Sequence, residues 1–385
     1  MKVKSVNAKS IFDSRKEKTI FVTISTNVGN FSASSPTGKS TGKYESKPYK
    51  KSLEEDIKAL KNFTEYFSNE EIESFDDLRR IEDIVDGHVG ANTIFALESA
   101  VLKALAKEQK KEIWQLINPN AKRFPRLVGN CVGGGKHSQT KDKKPDFQEF
   151  LLIPDTKTVK EASELNKKIQ NEVEAILKKK DEKFESKRND ENAWITSLNE
   201  KEVFDVFKDL NVPFGTDVAA SSFYKRKKYH YENPMLTRED DEQIYYIESL
   251  IKNYNLFYVE DPFQEENFKS FAELLKKVKN CLIVGDDLIV TNSKRLKKAI
   301  EEKSVNTIIV KPNQCGSLLE VKKVCQMAKE AGIKTVFSHR SGETEESILA
   351  DLAFGFQADF LKCGISSLVR EIKIKRLIEI EKKLR

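Results

Sequence analysis

The stretch Leu282-Ile283-Val284-Gly285-Asp286 is a short apolar run that ends in a carboxylate. Other short apolar runs in the C-terminal half also end in a polar side chain that can do chemistry, at intervals of 23 to 43 residues: Asp217, Glu260, Lys311, His339 and Lys362. One strand-plus-helix unit of a parallel βα barrel takes roughly 25–40 residues, and the catalytic groups of such barrels lie at the C-terminal strand ends. The pattern therefore predicts an α/β barrel with a polar site at its mouth.

The N-terminal part has a different organisation. The whole chain has 385 residues, enough for a barrel of about 250 residues and one smaller domain. Apolar and polar side chains alternate in three segments, which predicts a small antiparallel sheet over 3–12, 18–26 and 30–35. Helical spacing follows over 52–64, 75–87 and 93–108. We expect an N-terminal α+β domain over 1–122 and a catalytic barrel over 123–385, with the nearly apolar helix at 93–108 buried between them.

Composition argues against several classes of protein. The net charge is only +6, and Lys and Glu alternate along the predicted helices, which favours solvated helix faces over a nucleic-acid surface. No run of 18 apolar residues is present, and Met1–Lys4 lacks the apolar core of a signal peptide, so we expect no membrane partner. Five cysteines without CxxC spacing indicate reduced thiols in a cytoplasmic protein.

Three of the strand-end residues are acids. Asp217, Glu260 and Asp286 offer hard oxygen ligands without thiolate or imidazole, which suits Mg²⁺. Each acid could instead cap the helix that follows it, and Asp217 could do so alone. Three acids at consecutive predicted strand ends favour the metal site.

Lys311 follows the apolar run Ile308-Ile309-Val310. Partial desolvation and nearby cations would both lower the pKa of its ammonium group and make it a usable base. The alternative is a salt bridge between Lys311 and one of the acids. The residue taken alone does not decide between the two.

An anion-binding segment is predicted after another strand, at His339-Arg340-Ser341. The guanidinium fork and the N–H groups at the start of a helix both favour phosphate or carboxylate. A helix N-cap followed by a capping acid is the alternative, and both can hold together.

The glycine-rich segment 133–138 resembles a nucleotide loop only superficially. A Walker A loop needs glycine five residues before its Gly-Lys pair and Ser or Thr directly after it, but these positions hold Asn130 and His137. We therefore expect a flexible lid that carries Lys136 and His137. Gln148 and Glu149 stand at a predicted strand start, which by itself says little.

With these residues in place, the chain resembles the enolase family, over nearly its whole length. The resemblance rests on short motifs in family order: Asp13-Ser14-Arg15, Gly38–Gly42, Gly134–His137, Gln148–Phe150, Asp190-Glu191, Asp217–Ser221, Glu260–Phe263, Gly285–Asn292, Lys311–Gly316, Ser338–Glu345 and Lys362–Gly364. It implies an atypical barrel whose first strands and helices depart from strict βα order, with the N-terminal domain covering its mouth.

The resemblance also implies an activity, namely the reversible dehydration of 2-phosphoglycerate to phosphoenolpyruvate, with two Mg²⁺ ions in each active site. One ion would be held by Asp217, Glu260 and Asp286, and the second by Ser40 and the substrate phosphate. The remaining roles that it implies are a Lys311 base, a Glu191 acid assisted by Glu149, phosphate binding by Arg340 and Ser341, carboxylate binding by Lys362 and Gln148, and closure of the site by His137 and His339.

Several positions depart from the family pattern. Asn192 replaces a usual glycine after the acid, Ser222 stands where glutamate is frequent, and the loop between His137 and Glu149 is about three residues longer. Two further departures, Lys16–Thr19 and Ile365–Glu371, fall in regions that the family uses for its dimer contact. We expect a homodimer whose interface differs from the family norm.

The sequence thus predicts a cytoplasmic enolase that acts on a small molecule and binds neither nucleic acid nor membrane. One alternative is a lyase of the same superfamily that acts on another phosphorylated hydroxy acid. The other is a non-catalytic, enolase-like binding protein. Loss of a site shows first as loss of its ligands, and every matched catalytic position carries the expected residue.

Overall fold

A computed structural model describes residues 1–39, 42–68, 70–138, 140 and 143–384. It begins with an antiparallel sheet of strands β1, β2 and β3, formed by Val3–Phe12, Lys18–Thr26 and Gly29–Ser34. The next elements are helical: α1 (Leu53–Asn62), α2 (Thr64–Phe67), α3 (Leu78–Val85), α4 (Ala91–Gln109) and α5 (Ile113–Ile117). The three predicted strands are confirmed, and the helix predicted over 75–87 begins with a 3₁₀ turn, Phe75–Asp77.

Helix α4 is the centre of the N-terminal region. Alternation along β2 turns Ile20, Val22 and Ile24 to one face, where they are buried, and α4 packs against β2 and β3. Fourteen of the residues of α4 are buried, because the helix also contacts α3, α5 and the barrel. The prediction of a buried helix between the two parts of the chain is confirmed.

Eight strands form the closed barrel. In spatial order they are β4 (Arg126–Gly133), β5 (Glu149–Leu152), β7 (Phe214–Asp217), β11 (Tyr258–Glu260), β12 (Leu282–Gly285), β13 (Thr307–Val310), β14 (Lys334–Ser338) and β15 (Phe360–Lys362). The barrel closes between β15 and β4, where Phe360 pairs with Arg126. A two-residue strand, β6 (Trp194–Ile195), pairs with the C-terminal end of β4.

One strand departs from parallel order, in line with the atypical barrel that the resemblance implies. Strand β5 runs antiparallel to both β4 and β7, so its first residue, Glu149, lies opposite the last residue of β7, Asp217. Strand β5 starts at the end of the barrel where its neighbours end. The predicted strand start at Gln148 and Glu149, which is uninformative in the sequence by itself, therefore lies at the barrel mouth.

Helices surround the barrel: α6 (Val159–Lys180), α7 (Glu200–Phe207), α8 (Asp240–Tyr254), α9 (Phe268–Lys277), α10 (Ser293–Glu302), α11 (Pro312–Cys315), α12 (Leu318–Glu330), α13 (Ile348–Gly355) and α14 (Leu368–Leu384). A small sheet of β8 (Tyr224–Lys225), β9 (Lys228–Glu232) and β10 (Met235–Arg238) lies outside it. Within the described ranges, no helix is both long and apolar enough to cross a membrane.

Two apolar clusters hold the barrel together. The larger fills the layer between strands and helices and continues into the N-terminal sheet. The smaller lies inside the barrel and includes Val128, Leu151, Tyr258 and Ile309. Since apolar side chains fill the interior, the polar residues at the strand ends have space only at the mouth.

The segment after β3 closes over this mouth. Thr37 forms a β-bridge with Gly342, and the Ser46 amide donates to the Gln314 carbonyl at 3.0 Å. These contacts bring the N-terminal region against the loops that follow β13 and β14. The mouth is therefore a partly enclosed cavity.

Candidate active site

The cavity at the barrel mouth has a volume of about 160 Å³ and is lined almost entirely by polar residues. It collects most of the residues predicted from the sequence: Lys311, Glu191, Glu149, His137, His339, Gln148, Arg340, Ser341, Lys362, Asp217 and Asp286. Glu260 does not line it, because Glu260 is fully buried beneath Lys362. Ser40, the predicted ligand of a second ion, lies outside the described residues.

Lys362 contacts three carboxylates at once. Its Nζ lies 2.9 Å from Glu260 Oε2, 3.2 Å from Glu149 Oε2 and 3.3 Å from Asp217 Oδ2. Burial opposes the charge on this ammonium group, but the three acids outweigh burial and hold its pKa well above the usual range. Lys362 is therefore a permanent cation in the cavity floor.

The cavity holds more acid than its lysines neutralise. Burial, followed by repulsion from Asp217 and Asp286, raises the pKa of Glu260 to about 7. Burial and the neighbouring Asp286 raise the pKa of Asp287 to about 8. Such a set of buried, mutually repelling carboxylates is the environment that a divalent cation neutralises.

The arrangement of possible metal ligands differs from the predicted set. Among the described residues, two groups bring their ligand atoms within 4.8 Å of one another: His137, Glu149 and Glu191, and Asp261, Asp286 and Asp287. Asp217, Glu260 and Asp286 do not form such a group. Lys362 bonds both Asp217 and Glu260, while Lys311 pairs with Asp286.

Asp261 holds the backbone of the two other acids in its group. Its two carboxylate oxygens accept the backbone N–H groups of Asp286 at 2.9 Å and Asp287 at 2.8 Å. The backbone at the end of β12 is thereby fixed, and both acids project from one rigid turn. Asp261 follows Glu260, and Asp287 follows Asp286, so both residues lie in quoted motifs and directly after a predicted ligand, but neither was assigned a role.

The 3₁₀ helix Ala220–Phe223 has Ala219 as its N-cap and no side-chain cap, so the capping alternative is wrong for Asp217. Its Oδ1 accepts the Ala219 amide at 3.0 Å, while Oδ2 accepts from Gln148 Nε2 at 3.3 Å and faces Lys362. One oxygen of Asp217 thus fixes the local backbone, and the other lies in the site.

The expected direction of the Lys311 pKa is wrong. Burial does lower the pKa of Lys311, but the ion pair with Asp286 outweighs it and raises the pKa above its ordinary value. The salt bridge that the sequence left open is therefore present. Lys311 lies at the predicted place, directly after β13, and it is protonated.

Glu191 lies between two imidazoles. Its Oε1 is 3.7 Å from His137 Nδ1 and its Oε2 is 3.8 Å from His339 Nε2, while Asn130 Nδ2 donates to Oε2 at 3.1 Å. Burial favours the neutral acid, but His137, His339 and Arg370 together hold the pKa of Glu191 well below its usual range. Glu191 is therefore ionised in the absence of a ligand.

His137 lies against the carboxylates of both Glu149 and Glu191. Its Nδ1 lies 3.3 Å from Glu149 Oε1, on the side of the ring that also faces Glu191. Burial lowers the pKa of His137, but Glu191 and Glu149 outweigh burial and raise it. The three side chains form one cluster that can share a proton.

Arg340 and Ser341 line the cavity, but the expected helix start is wrong. Helix α13 begins only at Ile348, and residues 339–347 form an irregular loop held by Glu343, whose Oε1 accepts the Arg340 amide at 2.9 Å. Glu343 is thus the capping acid that the alternative predicted, but no helix begins beside it. Anion binding here depends on side chains and not on a helix terminus.

The N-terminal region supplies partners that sequence reasoning missed. Glu45 accepts two hydrogen bonds from the Arg340 guanidinium, at 2.7 and 3.1 Å. Ser341 Oγ accepts from Arg15 Nη1 at 3.0 Å and from the Lys39 amide at 2.9 Å. No local pattern marks Glu45, because its partner is 295 residues away in sequence.

The structure accounts for two departures from the family pattern. Asn192 has φ +65°, the left-handed conformation that favours glycine and that asparagine tolerates best among other residues. Its Nδ2 also donates to Ser366 Oγ at 2.5 Å. Ile365 is buried, so part of the segment Ile365–Glu371 lies inside the protein.

The glycine-rich segment packs against the chain and not around a phosphate. A Cβ atom at Gly134 would lie 2.3 Å from the Phe147 carbonyl oxygen, which requires glycine there. Lys136 and His137 follow in a single 3₁₀ turn and both line the cavity. Gln139, Lys141 and Asp142 of the predicted lid lie outside the described residues.

Comparison with protein families gives two matches that together span most of the chain. The family described as "Enolase, N-terminal domain" matches residues 3–117. The family described as "Enolase, C-terminal TIM barrel domain" matches residues 122–385. The two matches follow the order of the sheet-and-helix region and the barrel.

Curated proteins named Enolase are similar over nearly the full length. The protein from Methanosphaera stadtmanae is 35% identical, with 99% of this chain and 97% of the relative covered. The protein from Archaeoglobus fulgidus is 34% identical with the same coverage. The protein from Pyrobaculum aerophilum is 38% identical over 82% of this chain and 76% of its own length.

Proposed function

The chain belongs to the enolase family, and on that premise we propose how its own residues carry out the family's reaction. Its activity is that of a phosphopyruvate hydratase, a hydro-lyase that interconverts 2-phosphoglycerate and phosphoenolpyruvate in glycolysis and gluconeogenesis. One observation supports the assignment of residues: the side chains that line one small cavity fall into three parts. These parts are an acid-rich floor, an anion-binding rim and the Glu191–histidine cluster.

The acid-rich floor fits Mg²⁺, on which the family depends. Asp217, Glu260 and Asp286 would hold one ion, and the raised pKa of Glu260 marks the negative charge that such an ion would neutralise. A second ion would be held by Ser40 and the substrate phosphate. A metal ion held there would offset the second negative charge that a carboxylate gains when its neighbouring carbon is deprotonated, and Asp286 would then be shared between that ion and Lys311.

Lys311 would remove the proton next to the substrate carboxylate. Its burial favours the neutral amine, whereas the ion pair with Asp286, followed by the charge of Glu260, raises its pKa. Weakening that pair would lower the pKa of Lys311 and make it a base. The role therefore depends on what happens to Asp286 when ligands bind.

Glu191, assisted by Glu149, would protonate the departing hydroxyl. Since Glu191 is ionised without a ligand, the proton must reach it from the cluster that it forms with His137 and Glu149. The separations within the cluster, 3.3 and 3.7 Å, place the three groups side by side, and a transfer over the longer one needs a bridging water or a closer approach. His339 completes the cluster from the opposite side.

The remaining residues would hold the two ends of the substrate. Arg340 and Ser341 would bind the phosphate, and Lys362 with Gln148 would bind the carboxylate. Lys362 suits this role because it remains charged in the cavity floor. No observation favours a different phosphorylated hydroxy acid or a non-catalytic binding protein, since each described catalytic position keeps its functional group.

We further propose a homodimer in the cytoplasm. Support for the dimer comes from two exposed apolar side chains, Phe12 at 67% and Leu368 at 62% exposure. A groove of about 600 Å³ is lined in part by Phe12 and by Val369, the residue that follows Leu368 in the sequence. Support for the compartment is weaker and consists of five cysteines, all described, none of which forms a disulfide.

A direct assay tests the assignment. Purified protein is mixed with 2-phosphoglycerate, and formation of phosphoenolpyruvate is followed by its ultraviolet absorbance, with Mg²⁺ and with chelator. We expect turnover only with Mg²⁺. Undiminished turnover in metal-free protein would contradict the metal site, and binding of 2-phosphoglycerate without turnover would favour the non-catalytic alternative.

A further inference from the structure

Arg370 is a fully buried arginine that no part of the proposed mechanism uses. It lies in the first turn of α14 and has no exposed surface. Its Nη1 contacts His339 Nδ1 and lies 3.4 Å from the Arg340 carbonyl. Its Nη2 lies 3.1 Å from the Ser341 carbonyl and 3.4 Å from the Asp190 carbonyl. One guanidinium thus joins the anion-binding loop to the segment that carries Glu191.

We propose that Arg370 is a positioning residue that fixes the tautomer of His339, so that the neutral ring carries its proton on Nε2 and points that N–H toward Glu191. The proposal rests on the proposed function for the catalytic meaning of Glu191. The tautomer itself is inferred from the contact between Arg370 and His339 Nδ1 and from the donor-only chemistry of guanidinium. No bond forms or breaks in this role.

The argument begins with the chemistry of the contact. A guanidinium group has five N–H donors and no acceptor, so His339 Nδ1 must be the acceptor in its contact with Arg370. An imidazole whose Nδ1 accepts is neutral and carries its proton on Nε2. His339 Nε2 lies 3.8 Å from Glu191 Oε2, which leaves the N–H directed at the carboxylate.

The charges around His339 act in the same direction. Burial, then Arg370, and then Lys362 and Lys373 lower the pKa of His339 well below its usual range, and Glu191 opposes them. Lys373, on the next turn of α14, is itself paired with Glu343 at 2.8 Å. His339 is therefore an uncharged donor beside an ionised acid, whereas His137 on the other side of Glu191 has a raised pKa.

The fold provides dedicated space for the guanidinium. A Cβ atom at Gly364 would lie 2.6 Å from Arg370 Cδ, so a side chain at Gly364 would displace it. Gly364 also has φ +75°, a conformation that glycine adopts without strain. Arg370 thus reaches His339 through a gap in the turn that follows Lys362.

The first test reads the tautomer directly, without substrate or metal. The protein has four histidines, and two-bond ¹H–¹⁵N NMR distinguishes the two neutral tautomers of each imidazole. The His339 signal is assigned by its absence from His339→Gln. We expect the Nε2–H pattern in the parent protein near neutral pH. The opposite tautomer, or a charged ring, in the folded parent protein would overturn the proposal.

The second test compares three variants. Arg370→Gln removes the charge and offers both a donor and an acceptor, so both tautomers should be populated, the His339 pKa should rise, and the acid limb of the kcat pH profile should move to higher pH. kcat should fall about 10²-fold, as for other losses of precise positioning. Arg370→Lys keeps a donor-only cation and should restore part of kcat and the original acid limb. An unchanged tautomer in Arg370→Gln would overturn the proposal.

A matched control separates positioning from structure. Arg376→Gln alters another arginine of α14, which pairs with Asp351 and Glu112 away from the cavity. It should lower thermal stability without moving the tautomer or the pH profile. If Arg370→Gln does not fold, the parent spectrum and Arg370→Lys still decide. A parent protein that shows the predicted tautomer without turnover would contradict the proposed function and leave the positioning of His339 intact.

Discussion

Glu45 and Arg340 form a bidentate ion pair across the interface between the N-terminal region and the barrel mouth, with N···O distances of 2.7 and 3.1 Å. Both side chains are almost completely buried, at 6% and 3% exposure. The carboxylate occupies both terminal nitrogens of the guanidinium that would bind the substrate phosphate. The Glu45 carboxylate thus binds the guanidinium at which the substrate phosphate would bind.

We expect Glu45→Gln to bind inorganic phosphate and 2-phosphoglycerate more tightly than the parent protein. The substitution leaves the Arg340 charge unpaired in the free protein and removes a negative charge near the bound phosphate. Breaking a buried ion pair costs about 3–5 kcal/mol, so the unliganded variant should also unfold at lower temperature. Calorimetric titration and thermal unfolding measure both effects, and weaker phosphate binding would show that Glu45 orients Arg340 and does not compete for it.

Mg²⁺ affinity should rise with pH through neutrality. The pKa of Glu260 is about 7, so protons compete with the metal below that pH, and binding should release protons. Because this folded pKa lies above the ordinary value of 4.5, the metal-free protein should lose stability as pH rises toward and through 7, and Mg²⁺ should restore it. Titration calorimetry in buffers of different ionisation enthalpy measures the protons. Glu260→Gln is the control, and an equal release from it would assign the protons elsewhere.

Lys311→Ala and Glu191→Gln should fail in different ways. Exchange of the substrate carbon proton needs only the base, whereas product formation also needs the acid. Lys311→Ala should therefore lose exchange and turnover together, and Glu191→Gln should keep some exchange while losing turnover. Each loss should be about 10²–10⁴-fold. NMR in heavy water beside the absorbance assay measures both, and parent-like exchange by Lys311→Ala would show that another group is the base.

Asn192→Val should destabilise the protein more than Asn192→Gly. A left-handed φ costs an ordinary L-residue roughly 1–2 kcal/mol, and a β-branched residue tolerates it least. Valine also loses the hydrogen bond to Ser366, worth about 1 kcal/mol, whereas glycine loses only that bond and gains backbone freedom. Chemical denaturation gives the free energies of unfolding. Equal losses in the two variants would assign the effect to the hydrogen bond.

The proposed dimer should dissociate when its apolar face is charged. Phe12→Asp places a carboxylate on the exposed side chain beside the groove and should shift the protein toward monomer. Sedimentation over a range of concentrations measures the shift. Tyr245→Asp alters another exposed aromatic residue and serves as the control. A dimer that dissociates equally in both variants, or in neither, would place the interface elsewhere.

The sequence by itself predicted the barrel and most of its site. Each strand is a short apolar run, and the residue at the C-terminal end of the run lies at the mouth, where the side chains are polar. Asp217, Lys311 and Lys362 could therefore be placed from local pattern. Asn192 could be interpreted in the same way, because the conformational preference of a single residue is a local property.

Tertiary structure decided the pairing and the charge of these residues. The antiparallel direction of β5 brings Glu149 to Asp217, and helix α14 brings Arg370 to His339. The pKa of Lys311 is raised because Asp286 lies against it, although burial alone would lower it. A pKa and a hydrogen bond depend on the distance between groups that the sequence separates by tens to hundreds of residues. Local pattern specifies the element that carries each group, and only the folded chain specifies which groups meet.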